Sequence, residues 1–389
     1  MWARRRSGVV GALAVLLVPA AVAAQPVLEL PRERIFSFDM VVDPQSLPVA
    51  ATSGPAGVAW STVVRSRFPQ GGTLDGIRVR VVFAAPVTEG RLRVLDGAGA
   101  DVESVVASAA VPVREFWSRD IPGGVARVEF SRTSAGSTPA AVVSYAYHVT
   151  PSEKQSISGP NQLMKVGDAP ARIRRLGRPI ARLRFMVADQ GQATCTAFLV
   201  GRRLLLTNQH CIATDDERAS ALVDFFYDAD DSVATGQRVA AIVASDRGLD
   251  YTLLQLTGDP PAGAGRLFFA PLSWAWPADA HPLVIVQHPS GLPKRASIAD
   301  CSTAGDARVG VLPGEPTDFG HRCDTLGGSS GSPVLDWSSG VVVGLHHFGF
   351  VSGSPDPVNQ AVSHARILRD IRARDAAAFA EVAAPPPPD

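Results

Sequence analysis

Three short segments of this 389-residue chain carry side chains that together could make a serine hydroxyl reactive. A serine alcohol is a poor nucleophile at neutral pH. It needs a base within hydrogen-bond reach, a carboxylate to orient that base, and backbone N–H donors aimed at the developing oxyanion. Leu206-Thr207-Asn208-Gln209-His210-Cys211 supplies an imidazole just after an apolar run. Leu249-Asp250-Tyr251-Thr252-Leu253-Leu254 supplies a carboxylate just before a strand of buried type. Gly327-Gly328-Ser329-Ser330-Gly331-Ser332-Pro333 surrounds Ser330 with glycines, which let the backbone turn tightly and approach a substrate carbonyl. The N–H groups of Gly328 and Ser330 are then the oxyanion-hole candidates, with His210 as base, Asp250 as its orienting group and Ser330 as nucleophile.

Other readings of the same residues stay open. Gly327 to Gly331 also fits G-x-S-x-G with Ser329 as nucleophile, followed by Asp336 or Asp356 and His364. Against this, only 60 residues follow Ser329 and no βαβ pattern surrounds it. The three residues could also be ordinary side chains of a non-catalytic binding protein. The acidic clusters Asp215-Asp216-Glu217 and Asp228-Asp230-Asp231 could hold calcium, but read better as solvated loops. No C-x-x-C pair is present, so no metal and no cofactor is implied.

The elements that must position these groups are mostly strands. Short alternating runs such as 77–83, 91–95, 126–130 and 141–145, separated by Gly and Pro turns, predict a small β-sandwich over 25–150. Further strands are expected at 197–200, 204–206, 253–256, 283–286 and 341–345. Ser363 followed by Ile367, Leu368 and Ile371 predicts a C-terminal helix. The polar, basic stretch 151–177, with Arg172, Arg174 and Arg175, reads as a linker, either an exposed cleavage site or a merely solvated connector, and 381–389 as a Pro-rich tail.

The outer features bound the setting. Arg4, Arg5 and Arg6, the apolar run Val9 to Val22 and the small residues 21–24 form a secretory signal over 1–24, too short and Pro-interrupted for a spanning helix. A secreted or periplasmic protein with no membrane span in the mature chain is expected. The formal net charge is zero, so nothing points to a nucleic-acid or acidic-membrane partner. Export permits disulfides, and Cys195, Cys211, Cys301 and Cys323 can pair in three ways.

In order and context, the His210, Asp250 and Ser330 segments resemble the chymotrypsin-like serine peptidases, over about residues 178–380. The resemblance implies an all-β, double β-barrel peptidase domain with a C-terminal helix, preceded by the sandwich as a pro-region or accessory domain. It implies an endopeptidase acting on protein or peptide substrates. It also implies a Cys195–Cys211 bridge, and with it Cys301–Cys323. Val343-Gly344-Leu345-His346, Val358 to Val362 and Gln287-His288-Pro289-Ser290-Gly291 look like the bacterial glutamyl endopeptidase branch, with His288 serving a turn. Phe116-Trp117-Ser118 looks like the region that precedes lysyl endopeptidases. For substrate binding, Asp324, six residues before Ser330, implies a basic P1 side chain, whereas Thr325 and His346 match positions that hold an acidic one. His346 could instead pair with Asp324. Ser329 stands where animal trypsin-like enzymes have an Asp that receives the new N-terminus, so zymogen activation would instead proceed by removal of the 26–175 region.

Overall fold

The computed structural model describes residues 37–48, 60–65, 76–132, 139–148, 155–157, 159–187, 191–232, 235–273, 279–311, 314, 316–350 and 358–385, with backbone alone at 37–48, 139–148, 155 and 306. The signal segment and the end of the Pro-rich tail lie outside these residues.

Residues 180–256 form a closed six-stranded antiparallel barrel. Its strands run in the order Ile180–Val187, Leu222–Phe225, Gln237–Asp246, Tyr251–Leu256, Leu204–Thr207 and Gly191–Leu199, and the last pairs back with the first. Closure removes the sheet edges and buries alternate side chains inside. Leu183, Phe185, Ala197, Leu199, Leu205, Val223, Phe225 and Leu254 form that core. Each side chain of Leu or Phe size withdrawn from water contributes about 1.5–3 kcal/mol.

A second, half-open barrel follows. Leu283–Gln287, Pro333–Asp336, Val342–Phe348, Asn359–Ser363 and Asp318–His321 lie side by side in one eight-stranded antiparallel sheet. The helix His364–Arg374 seats Ile367, Leu368 and Ile371 against it, as their spacing predicts. This all-β pair of barrels with C-terminal helices is the chymotrypsin-like double-barrel architecture expected from the sequence.

Ahead of the barrels, two four-stranded sheets pack face to face through Trp60, Val79, Val81, Phe83, Val94, Val128 and Phe130. Strand Ser37–Pro48 leaves this sandwich to pair at residues 37–39 with 192–194 of the first barrel. Charged contacts join the same two parts. Arg78 Nη2 donates to the Ser220 carbonyl at 2.7 Å, Arg238 chelates Glu103, and Arg184 Nη1 donates to Asp120 at 2.5 Å.

The linker expectation for 151–177 is corrected. Residues 155–156 pair with Thr325–Leu326, and Met164–Lys165 pair with Ala296 and Arg295. Val166, Ala169 and Ile173 are buried in the core between the barrels. The three share no helix: Val166 opens a 3-10 turn, Ala169 is extended and Ile173 lies in the short helix Ala171–Leu176, so no periodicity marks them as core. The expected cleavage site is equally tied down. Arg172 donates to the carbonyls of Trp337 and Ser338, and Arg174 to that of Ala169. The tail begins later than predicted, because a helix capped by Asp375 runs from Ala376 to Val382 and buries Val382.

Candidate active site

His210 sits three residues beyond the strand Leu204–Thr207, in a loop fastened by the Cys195–Cys211 disulfide. Asp250 stands at the other end of a tight turn, where Asp246 Oδ1 accepts the Leu249 N–H at 2.9 Å and Asp250 takes a left-handed φ of 45°. Asp tolerates that conformation better than most residues. The two loops then lock together. Asp250 Oδ1 accepts the His210 N–H at 2.9 Å, Asp250 Oδ2 lies 2.7 Å from His210 Nδ1, and Asn208 Nδ2 donates to the Asp250 carbonyl at 2.9 Å. Both side chains are buried. Burial opposes ionisation of Asp250, but the imidazoles of His210 and His347 outweigh it and hold the carboxyl well below the ordinary carboxylate range. A carboxylate at Nδ1 fixes the proton there and turns Nε2 into the basic nitrogen.

Ser330 comes from the second barrel. Its carbonyl accepts the Thr196 N–H at 2.8 Å, and Thr196 in turn accepts the Thr207 hydroxyl. Ser330 is thereby tied to the strand that leads into the His210 loop. Glycine is required on both sides. Gly328 and Gly331 have φ of 90° and 85°, and a Cβ on Gly331 would lie 2.1 Å from the Thr196 carbonyl oxygen. Within the loop, the N–H groups of Ser329, Gly331 and Ser332 bond to Leu326, His346 and Ser329 carbonyls. Those of Gly328 and Ser330 have no acceptor among the described residues, which leaves them available to a ligand. The Ser330 hydroxyl likewise forms no hydrogen bond among the described residues, the one to His210 included. Ser329, the alternative nucleophile, is fully buried, and its Oγ accepts the Leu326 N–H at 3.1 Å.

The turn at 288–292 braces this loop from behind. Ser290 N–H donates to the Gly327 carbonyl, His288 N–H to Thr196 Oγ1, and Thr196 Oγ1 to the Gly328 carbonyl at 2.9 Å. His288 Nδ1 bonds the Leu292 carbonyl at 3.0 Å, closing the turn expected of it.

The three residues expected to bind substrate each meet a different partner. Asp324 is buried, and its Oδ2 accepts the Gln162 N–H at 2.9 Å. Thr325 pairs with Ser156 through its backbone. His346 bonds His321 across 3.1 Å rather than Asp324. Burial keeps both of these imidazoles neutral, with His321 lowered to about 3.

Two elements of this region escaped the sequence reading. Gln162 and the strand at 155–156 lack any motif. His347, by contrast, follows His346 in one strand, so the two must face opposite sides and serve different neighbours. His347 Nδ1 lies 3.2 Å from Asp250 Oδ2 and its Nε2 2.6 Å from Asp318 Oδ2.

Other clusters have structural partners. Thr214 and Glu217 form a reciprocal capping box at a helix start, and Asp228 binds the buried Lys294 at 2.8 Å. The sulfurs of Cys195 and Cys211 lie within 4.8 Å of a His210 ring nitrogen but are joined to each other, and Cys301 pairs with Cys323.

A closed six-stranded barrel and a second half-barrel with small C-terminal helices define the chymotrypsin-like fold class. By sequence, residues 195–345 match the family model described as trypsin-like peptidase domain. Secreted RxLR effector protein 73 of Plasmopara viticola is 30% identical over 213 residues, 51% of this chain and 50% of that protein. Uncharacterized protein y4fB of Sinorhizobium fredii is 31% identical over 172 residues, 40% of this chain and 25% of that one. The chain thus spans half or less of the length of these curated relatives. Among solved structures, a scabies mite inactivated protease paralogue is similar at a TM-score of 0.43 and 10% identity, covering 51% of this chain and 94% of its own. The active form of the Rv3671c protease of M. tuberculosis is similar at 0.40 and 18%, covering 62% and 95%. No helix among the described residues is long and apolar enough to cross a membrane.

Proposed function

We propose that this chain is an exported serine endopeptidase in which His210, Asp250 and Ser330 form the catalytic triad. The observation that carries the reading is the doubly bonded His210–Asp250 pair set against a serine loop that holds back two N–H donors. In this mechanism a peptide carbonyl enters between Ser330 and the N–H groups of Gly328 and Ser330. His210 Nε2 takes the Ser330 proton as Oγ attacks, and the resulting imidazolium is stabilised by Asp250. The oxyanion is held by the two N–H groups, and His210 then returns its proton to the leaving amine. Water repeats the sequence to release the acyl group. The chain's own residues supply every step. The match to a trypsin-like peptidase domain supports the same reading.

For the P1 side chain we favour a basic residue over an acidic one. Asp324 is a buried carboxylate six residues before Ser330, whereas burial keeps His346 uncharged. The glutamyl-endopeptidase likeness is set aside on that ground.

The test is covalent labelling of the full-length, disulfide-intact protein by a fluorophosphonate. Labelling of the wild type and its loss in Ser330→Ala is expected. A folded wild-type protein that resists the reagent would instead favour a non-catalytic scaffold. The open Ser330 hydroxyl is the one observation in that scaffold's favour. Cleavage of a peptide library then reads P1 directly.

A further inference from the structure

The triad geometry does not stop at Asp250. Asp250 Oδ2 accepts from two imidazoles, His210 at 2.7 Å and His347 at 3.2 Å, and His347 reaches Asp318 at 2.6 Å with its other nitrogen. The result is a continuous chain, Asp318–His347–Asp250–His210, drawn from both barrels. His347 and Asp318 have fully buried side chains. Each nitrogen of the His347 ring faces a carboxylate oxygen. A carboxylate accepts and does not donate, so both nitrogens must carry hydrogen, and the ring is an imidazolium. Two buried carboxylates so close would be costly without a cation between them.

We propose that His347 is a positioning residue for the proposed reaction: a fixed imidazolium, held by Asp318, that clamps Asp250 in its ionised form and in line with His210. This deepens the triad reading and rests on it. The clamp does two things at once. It adds a second donor to the oxygen that holds His210, so that carboxylate cannot rotate away. It also places one positive charge behind Asp250, with Asp318 behind that, so the base faces a carboxylate whose charge is partly balanced.

The surroundings favour a charged His347 and leave its neighbours neutral. Burial works against the imidazolium, but Asp318 and Asp250 more than compensate and raise the group to about 9. The other imidazoles near it are His321 and His346, both pushed down by burial and by the His347 charge, and His210 beyond Asp250; on the far side of Asp318, Arg308 stands opposite it in the strand pairing, and Arg366 and Arg369 line a cavity with it. The arrangement has a signature that a purely structural role would lack. Removing the cation leaves His210 beside more negative charge, so the imidazole takes its proton at higher pH. Removing Asp318 does the opposite.

The experiment compares full-length wild type, His347→Gln and Asp318→Asn. The acid limb of kcat/KM should move up by about half to one pH unit in His347→Gln and down by a similar amount in Asp318→Asn. Ring 15N NMR of the wild type should show both His347 nitrogens protonated at pH 7, with the titration midpoint falling in Asp318→Asn. The NMR arm needs no turnover, so it decides the clamp even if the protein proves not to hydrolyse peptides, an outcome that would sink the triad reading alone. Superimposable acid limbs, limbs that move in the same direction, or a neutral His347 ring at pH 7 would overturn the proposal. Should His347→Gln fail to fold, Asp318→Asn and the wild-type ring spectrum still decide it.

Discussion

Thr196 sits where the two barrels meet, and its hydroxyl performs two jobs that can be removed without changing its shape. Oγ1 donates to the Gly328 carbonyl at 2.9 Å and accepts the His288 N–H at 3.0 Å, in a fully buried position. Thr196→Val keeps the volume and the backbone bond to Ser330 but strands both partners. A buried backbone group left without a partner costs about 1–3 kcal/mol, so the pair should cost about 4 kcal/mol. For a domain of roughly 200 residues that is a fall in Tm of about 8–16 °C. The freed Gly328 carbonyl also lets the 327–328 turn relax, tilting one oxyanion donor. Full removal of such a donor costs about 100–1,000-fold in kcat, so a tilt should cost about 10–100-fold. Thr196→Ser keeps both bonds and loses one methyl, about 1 kcal/mol, with kcat near wild type. Thermal unfolding followed by circular dichroism and steady-state hydrolysis of a reporter peptide read the two effects. A Thr196→Val protein with Tm within about 2 °C of wild type and unchanged kcat/KM would refute the brace and the reasoning behind it.

Further outcomes follow from the same geometry. Asp250→Asn should leave the fold in place and lower kcat by about four orders of magnitude, because the amide favours the wrong imidazole tautomer; comparable kcat values for mutant and wild type would contradict the assigned role. Burial raises the energy of ionised Asp224, but Arg184 and Arg182 more than offset it and keep its pKa depressed. Its contribution is therefore complete above pH about 4 and lost as pH falls through the folded value, and Asp224→Asn should cost about 3–5 kcal/mol in urea titrations at pH 7 by leaving buried Arg182 without a carboxylate, Arg184 keeping only Asp120. His347, raised to about 9, contributes stability that is complete below its unfolded value near 6.5 and declines as pH rises towards 9. Urea midpoints measured from pH 6 to 9 should show that decline, reduced in Asp318→Asn. Replacing Cys195 and Cys211 by Ala should lower stability by about 3 kcal/mol for a 16-residue separation and loosen the His210 loop, seen as faster amide exchange at 208–212.

Much of this molecule is legible in its sequence because the relevant signals are local. A period-two apolar pattern marks the strand at 77–83 and a short apolar run the buried strand at 253–256, and the glycines around Ser330 announce a backbone that no bulkier residue could follow. Ser363 and the stripe at 367, 368 and 371 mark a helix for the same reason. The segment 151–177 misled because its buried apolar residues, Val166, Ala169 and Ile173, are scattered among polar and basic ones, and only contact with the two barrels reveals that they are core.

Three-dimensional proximity decided the rest. That Asp250 answers His210 with both oxygens, that Ser290 and Thr196 brace the serine loop, and that Asp318 and His347 extend the line behind Asp250 are facts about residues tens of positions apart. No periodicity encodes them. A histidine reads the same in a sequence whether it meets another imidazole, as His346 does, or two carboxylates, as His347 does. Its charge is set by which neighbours the barrels deliver to each nitrogen, and folding alone makes that choice.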